Sequence, residues 1–225
     1  MASAEASSCA ALELTLVGVW HRFAADDPRL LARQVHAYAR RQVGRRDQDA
    51  SARAAVRERL REVVQTAASR RARAVFVCDE VSPGVEMPVV ITVFAPEDLG
   101  TLQTPTAADV SAALRASLMD VFAPGESGSV VEVPAAGSVA LRVTHLDEKA
   151  AGPEPEAPRV RHLRADYWVV FPGTTEVALV TFFTPLGDIA HTMLRMFDAI
   201  VERASVVAPH GASDSQSTVV STQTG

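Results

Sequence analysis

Six histidines, His21, His36, His145, His162, His191 and His210, are the first residues to test for chemistry, because imidazole is both a common metal ligand and a group that titrates near neutrality. No two of them form a His-Glu-x-x-His pair, and neither Cys9 nor Cys78 has a histidine close by in sequence. No metal site and no cofactor are expected. Asp188, His191, Arg195 and Asp198 fall on nearby faces of one helix, the pattern of a solvated surface with local ion pairs worth about 0.2–0.5 kcal/mol each. Gly125-Glu126-Ser127-Gly128-Ser129 lacks the second glycine of a nucleophile elbow and leads into a strand, so it reads as a flexible turn. There is no Gly-x-Gly-x-x-Gly after a strand and no phosphate loop ending in Gly-Lys-Ser/Thr. The adjacent carboxylates Asp26-Asp27 and Glu97-Asp98 read as helix or turn caps, and no catalytic residue is assigned. The two cysteines give no disulfide framework, and Cys78, inside an apolar run, is expected to be a small core residue.

The arginines are more informative. Between Arg22 and Arg73 there are 14 arginines against six acids, a local charge of +8 in a chain whose net charge is −5, and Lys149 is the only lysine. Arg57, Arg59, Arg61, Arg70, Arg71 and Arg73 are the candidate binding residues, joined by Arg40, Arg41, Arg45 and Arg46. Gathered on one surface they would meet phosphates or an acidic partner. The plain alternative is a pair of amphipathic helices with a charged outer face. Such use of Arg, with abundant Ala and Val, also matches the codon bias of a high-GC bacterium. Tyr38 is the only ring within residues 28–73 and is expected in the core, so base stacking on nucleic acid has little support.

Positioning these residues falls to alternating runs of strand and helix. Residues 12–23 read as a first strand with Trp20 near its end, and Asp26-Asp27-Pro28 as a helix start. The helix that follows places Leu31, Val35 and Tyr38 on one face, and a second carries Val56, Leu60, Val63, Val64 and Ala67. Together they make an Arg-rich helical hairpin over residues 28–73. Residues 74–78 and 88–94 are β-prone runs expected to pair in antiparallel fashion, and Thr106 with Asp109 reads as a capping box for a helix showing Val110, Leu114, Leu118 and Val121. Strands are expected at residues 129–133 and 138–145, followed by an exposed acidic, proline-bearing loop over residues 147–158 that could fold back on the arginines. Residues 167–171 and 177–183, joined by Pro172-Gly173-Thr174-Thr175, form a hairpin, and a helix with the stripe Ile189, Met193, Phe197 and Ile200 follows at once. The chain therefore divides into a flexible N-terminus (1–11), one α+β domain (12–207) built on an antiparallel β-sheet flanked by helices, and a disordered tail (208–225). No run approaches the ~20 apolar residues of a membrane span, and without a basic, apolar leader the chain is expected to be cytoplasmic.

This order of elements resembles the PsbP/Mog1-like fold, a family with actinobacterial lipoprotein members and secretion-associated chaperones. The residues that carry the resemblance are Trp20, the segments 88–96 (PVVITVFAP) and 138–145 (SVALRVTH), and above all residues 167–204. The resemblance implies that the Arg-rich hairpin is an insertion. Because known relatives of that fold mostly bind other proteins, it also implies a non-catalytic protein-binding or chaperone-like module. Two other function classes stay open: a small hydrolase or transferase with its site at a sheet end, and a weak nucleic-acid binder acting through the Arg-rich helices.

Overall fold

The computed structural model describes residues 11–43, 50–95, 97–98, 106–121, 130–150 and 158–207. Its elements are β1 (Ala11–Glu13), β2 (Val19–Ala24), α1 (Pro28–Val43), α2 (Ala50–Ser69), β3 (Ala72–Ser82), β4 (Val85–Glu86), β5 (Val90–Phe94), β6 (Glu97–Asp98), α3 (Ala107–Val121), β7 (Val131–Ala135), β8 (Ser138–Ala150), β9 (Arg159–Val170), β10 (Glu176–Thr184), α4 (Ala190–Glu202) and β11 (Ser205–Val207). The main sheet runs β2-β3-β5-β10-β9-β8-β7, with every pairing along it antiparallel, while β1 and β11 form a separate two-stranded ribbon. The class is α+β, as the short turns between strands required. Among the described residues no helix is long and apolar enough to cross a membrane.

Register decides which helix covers which face. Residues opposite one another in a sheet point to the same side. Phe23, Val75, Thr92, Thr181, Asp166 and Val143 pair in succession and so form one row across the sheet. At one end of this row Phe23 and Val75 are buried with Leu31 and Val35 of α1 and Val64 of α2. At the other end Val143 is buried with Val110, Leu114 and Leu118 of α3. The next row, displaced by one residue, includes Ile91, Phe182 and Ala165 and faces the opposite side, where Met193, Phe197 and Val201 of α4 complete the largest core. Phe197 stacks on Phe182 with centroids 4.5 Å apart, and Tyr167 meets Phe182 edge to face.

Local chemistry sets the helix starts. Asp27 Oδ1 accepts from the backbone N–H groups of Arg29 (2.9 Å) and Leu30 (3.0 Å), and Pro28 takes the first helical position, where an N–H is not needed. At α3 the capping box forms in both directions: Asp109 N–H donates to Thr106 Oγ1, and Thr106 N–H donates to Asp109 Oδ2.

Several expectations need correction. The single strand over residues 12–23 is two strands in different sheets. Gly18 separates them at φ +102°, and a Cβ there would stand 2.1 Å from the Glu80 carbonyl oxygen, so the chain passes too close to β3 for any other residue. Trp20 accordingly lies near the start of β2. Glu97-Asp98 is no cap but a short strand on β10. Strand β7 runs through Pro134 and Ala135, leaving a two-residue turn at Ala136 and Gly137, both at positive φ. Val121 and Ile189 are exposed, at 73% and 49%, and Val201 replaces Ile189 in the buried stripe of α4. The loop expected from Asp147 starts later, because β8 continues to Ala150 against β9; residues 151–157 lie outside the described residues, as do the tail 208–225 and residues 1–10. Asp198 is no member of a local surface pair. It accepts hydrogen bonds from Tyr167 Oη at 2.7 Å and from Arg142 Nη1 at 2.5 Å, tying α4 to β8 and β9.

Candidate functional site

The helices on the first face leave the middle of the sheet uncovered by any described segment. There, Thr92, Thr181 and Asp166 lie between the α1–α2 pair and α3, in the polar centre of a row whose ends are apolar. The result is a groove of about 450 Å³. Its floor adds Phe94, Trp168, Val177 and Leu179 to the polar row, and its wall is the α2 side chains Val63, Thr66 and Ala67 with Arg70 just past the helix end. Val63 is 44% exposed, an apolar side chain at the edge of an apolar floor. A groove of this size with apolar lining and a few polar groups is the ordinary form of a binding site.

Three arginines and two acids set its charge. Arg164 Nη2 lies 2.9 Å from Asp166 Oδ2, and Thr181 Oγ1 donates to Asp166 Oδ1 at 2.8 Å. Arg71 Nη1 donates to Glu97 Oε1 at 3.2 Å. Arg70 has no ion pair among the described residues, so it is the cation of the rim left for a ligand. Arg71 also holds φ +66°, a left-handed conformation in which a non-glycine residue is strained, and there it ends α2 by donating its N–H to the Ala68 carbonyl. Its own carbonyl accepts from Ala95 N–H, so the strained residue fastens α2 to the end of β5.

His145 of β8, opposite Arg164 and so on the same face of the sheet, has Nε2 3.6 Å from Asp166 Oδ2, too long for a hydrogen bond. Burial, reinforced by the Arg164 charge, holds its imidazole below the ordinary value, against the opposing pull of Asp166 and Asp147. The Thr181 hydroxyl donates to the carboxylate and not to a histidine, so this cluster contains no activated nucleophile of the Ser/Thr–His kind.

A second cluster sits on β2, β3 and α1. His21 Nε2 lies 2.6 Å from Asp79 Oδ2, Tyr38 Oη donates to Asp79 Oδ1 at 3.1 Å, and Arg41 Nη1 approaches His21 Nδ1 at 3.1 Å. Since arginine only donates, Nδ1 is the acceptor and Nε2 carries the proton that bonds Asp79. Both ring nitrogens are then occupied, which makes this a structural knot and no general base. Tyr38 is therefore half-buried with its hydroxyl satisfied, and its pKa is pushed up to about 12 by burial and by the Asp79 charge.

Cys78 is buried, and burial, with Asp79 beside it, pushes its thiol up to about 11. At pH 8 the thiolate is thus about a hundredfold scarcer than at an unperturbed cysteine. In a Cys9→Ser protein, the thiol reagent DTNB should label native Cys78 at least ~100-fold more slowly than the urea-unfolded chain. Equal rates would show an open thiol. Both shifts are upward, so their contribution to stability is complete below the unfolded values of 9.0 for Cys78 and 10.0 for Tyr38 and is lost as pH rises through about 11 and 12. Urea midpoints should fall across that alkaline range.

The six candidate arginines do not share one surface. Arg70 and Arg71 reach the groove, where Arg164, which sequence reasoning did not single out, joins them. Arg57 turns to α1 and donates to His36 Nδ1 at 3.3 Å. Arg61 pairs with Glu58 one turn back, Arg59 is exposed on α2, and Arg73 is half-buried on β3. No group of three His, Cys, Asp or Glu side chains able to hold a metal ion occurs among the described residues. Comparison with protein families, curated proteins and solved structures found no match.

Proposed function

We propose that the protein is a non-catalytic, cytoplasmic protein-binding module that holds an apolar, acid-bearing segment of another protein in the groove beside α2. The observation that carries this reading is the uncovered strip itself, an apolar floor of Trp168, Leu179, Val177 and Phe94 under a rim whose one unpaired cation among the described residues is Arg70. Alternate side chains of an extended segment would rest on the floor, and a carboxylate would meet Arg70. The resemblance of the element order to PsbP/Mog1-like proteins supports the same reading, with the α1–α2 pair as the insertion.

Trp168 supplies the assay. The chain has two tryptophans, and Trp20→Phe leaves the groove residue as the only fluorescent indole. A synthetic peptide alternating Leu and Glu should shift Trp168 emission in a saturable way, and one alternating Leu and Lys should bind at least ~10-fold more weakly. Val63→Glu, at an exposed helix position, should abolish the shift while leaving the melting curve unchanged. If neither peptide gives saturation, or Val63→Glu binds like the parent, the groove is not the binding face.

A further inference from the structure

Helix α1 contains no carboxylate from Pro28 to Val43, yet it carries Arg29, Arg33, Arg40 and Arg41 together with His36. Two adjoining crevices share His36 and Arg40: one of about 280 Å³ lies between the helices, where Arg53 and Arg57 of α2 line it, and one of about 710 Å³ runs along α1, where Arg33 and Arg41 line it. Among the described residues no acid lines either crevice. The nearest acid of α2 in sequence, Glu58, is bonded to Arg61 at 2.8 Å. Residues 44–49 lie outside the described residues, but their two arginines and two aspartates add no net charge. Arg33 and Arg40 of α1 and Arg57 of α2 are like charges on facing helices and repel, and a bound anion removes that repulsion.

The donors are also oriented. Arg57 Nη1 donates to His36 Nδ1 at 3.3 Å, which leaves His36 Nε2 protonated as a further N–H donor. The remaining lining is Ala32, Ala37, Ala39 and Ala50, small side chains that leave room between the guanidinium groups. Among the described residues no Phe, Tyr or Trp lines either crevice, and Tyr38 of α1 is turned to Asp79. The crevices therefore offer guanidinium groups to phosphates and no large aromatic face to a base.

We propose that the α1–α2 crevice binds a phosphoanhydride anion, either inorganic polyphosphate or the triphosphate arm of a nucleotide, with Arg33, Arg40 and Arg57 as the gripping residues. This site is independent of the groove beside α2. The test is calorimetric titration of the full chain with inorganic tripolyphosphate, with ATP, and with a single-stranded oligonucleotide, at low and at high salt. Tripolyphosphate and ATP are expected to bind within about twofold of each other, because the base is not read, and more weakly at high salt. Arg33→Gln/Arg40→Gln should weaken both by at least ~10-fold, whereas Arg59→Gln, on the outside of α2, should change neither. All of these variants should keep the parent's melting curve, since the altered side chains are exposed. The proposal is overturned if tripolyphosphate gives no saturable heat, if the double variant binds it as the parent does, if ATP binds far more tightly, or if only the oligonucleotide binds.

Discussion

Replacing Phe197 by alanine is expected to lower the unfolding free energy by about 3–5 kcal/mol, the usual cost of emptying an aromatic site in a core that cannot collapse around it. Phe197 is fully buried, stacks on Phe182 with centroids 4.5 Å apart, and sits at the centre of the α4 stripe between Met193 and Val201. Its neighbours are held from below by β9 and β10 and cannot follow the missing ring. Phe197→Leu keeps most of the volume and should cost clearly less. Urea unfolding followed by circular dichroism measures both, and equal midpoints for Phe197→Ala and the parent would mean that α4 does not cap this face.

Asp198→Ala is the second large effect, about 3 kcal/mol, at the lower end of the range for breaking a buried pair. The side chain of Arg142 is only 14% exposed while that of Asp198 is 32% exposed, so the variant strands a guanidinium and the Tyr167 hydroxyl in a largely dry place. Burial and the Asp198 carboxylate together hold the Tyr167 phenol far above its ordinary value, which keeps it a donor to Asp198 at neutral pH. The triple variant Arg142→Met/Asp198→Leu/Tyr167→Phe, which removes the polar partners together, should recover most of the loss. If the triple variant unfolds as readily as Asp198→Ala, the loss comes from packing and not from stranded polar groups.

Much of the fold was legible because its elements keep strict periods. The Thr106/Asp109 capping box and the helix start at Asp27-Pro28 are local patterns that formed where they were read, while the α4 stripe keeps its period with Val201 in place of Ile189 and the hairpin keeps its turn with a β9 that begins at Arg159. What the sequence concealed is tertiary. Gly18, just before β2, must be glycine because the Glu80 carbonyl oxygen of β3 would stand 2.1 Å from its Cβ, and no neighbour in sequence announces that. Likewise Asp198 lies on a helix face that looks solvated until β8 and β9 bring Arg142 and Tyr167 to it. The arginines dispersed for the same reason, since α1 and the end of β5 draw Arg57 and Arg71 in different directions.

The groove did leave a trace. Thr92 interrupts Val-Ile-Thr-Val-Phe, Thr181 interrupts Leu-Val-Thr-Phe-Phe, and Asp166 lies in the strand before Tyr167-Trp168. Aspartate is unusual in a strand. Only the register shows that the three stand side by side in one row. Polar breaks in several apolar strands are thus a usable signal for an uncovered strip, once the strand order is known.

Strands β1 and β11 pair only with each other, Ala11 opposite Val207 and Glu13 opposite Ser205. Among the described residues neither strand pairs with any other, and Leu12 and Val206, opposite one another, both pack on the main core, so fraying of one loosens the other. The two outermost strands of the described chain, nearly two hundred positions apart in sequence, are therefore one cooperative unit, whose amides should exchange with solvent deuterium at a common rate. A protease cut that removes one strand would take away the other's strand partner and leave it held by side-chain packing alone.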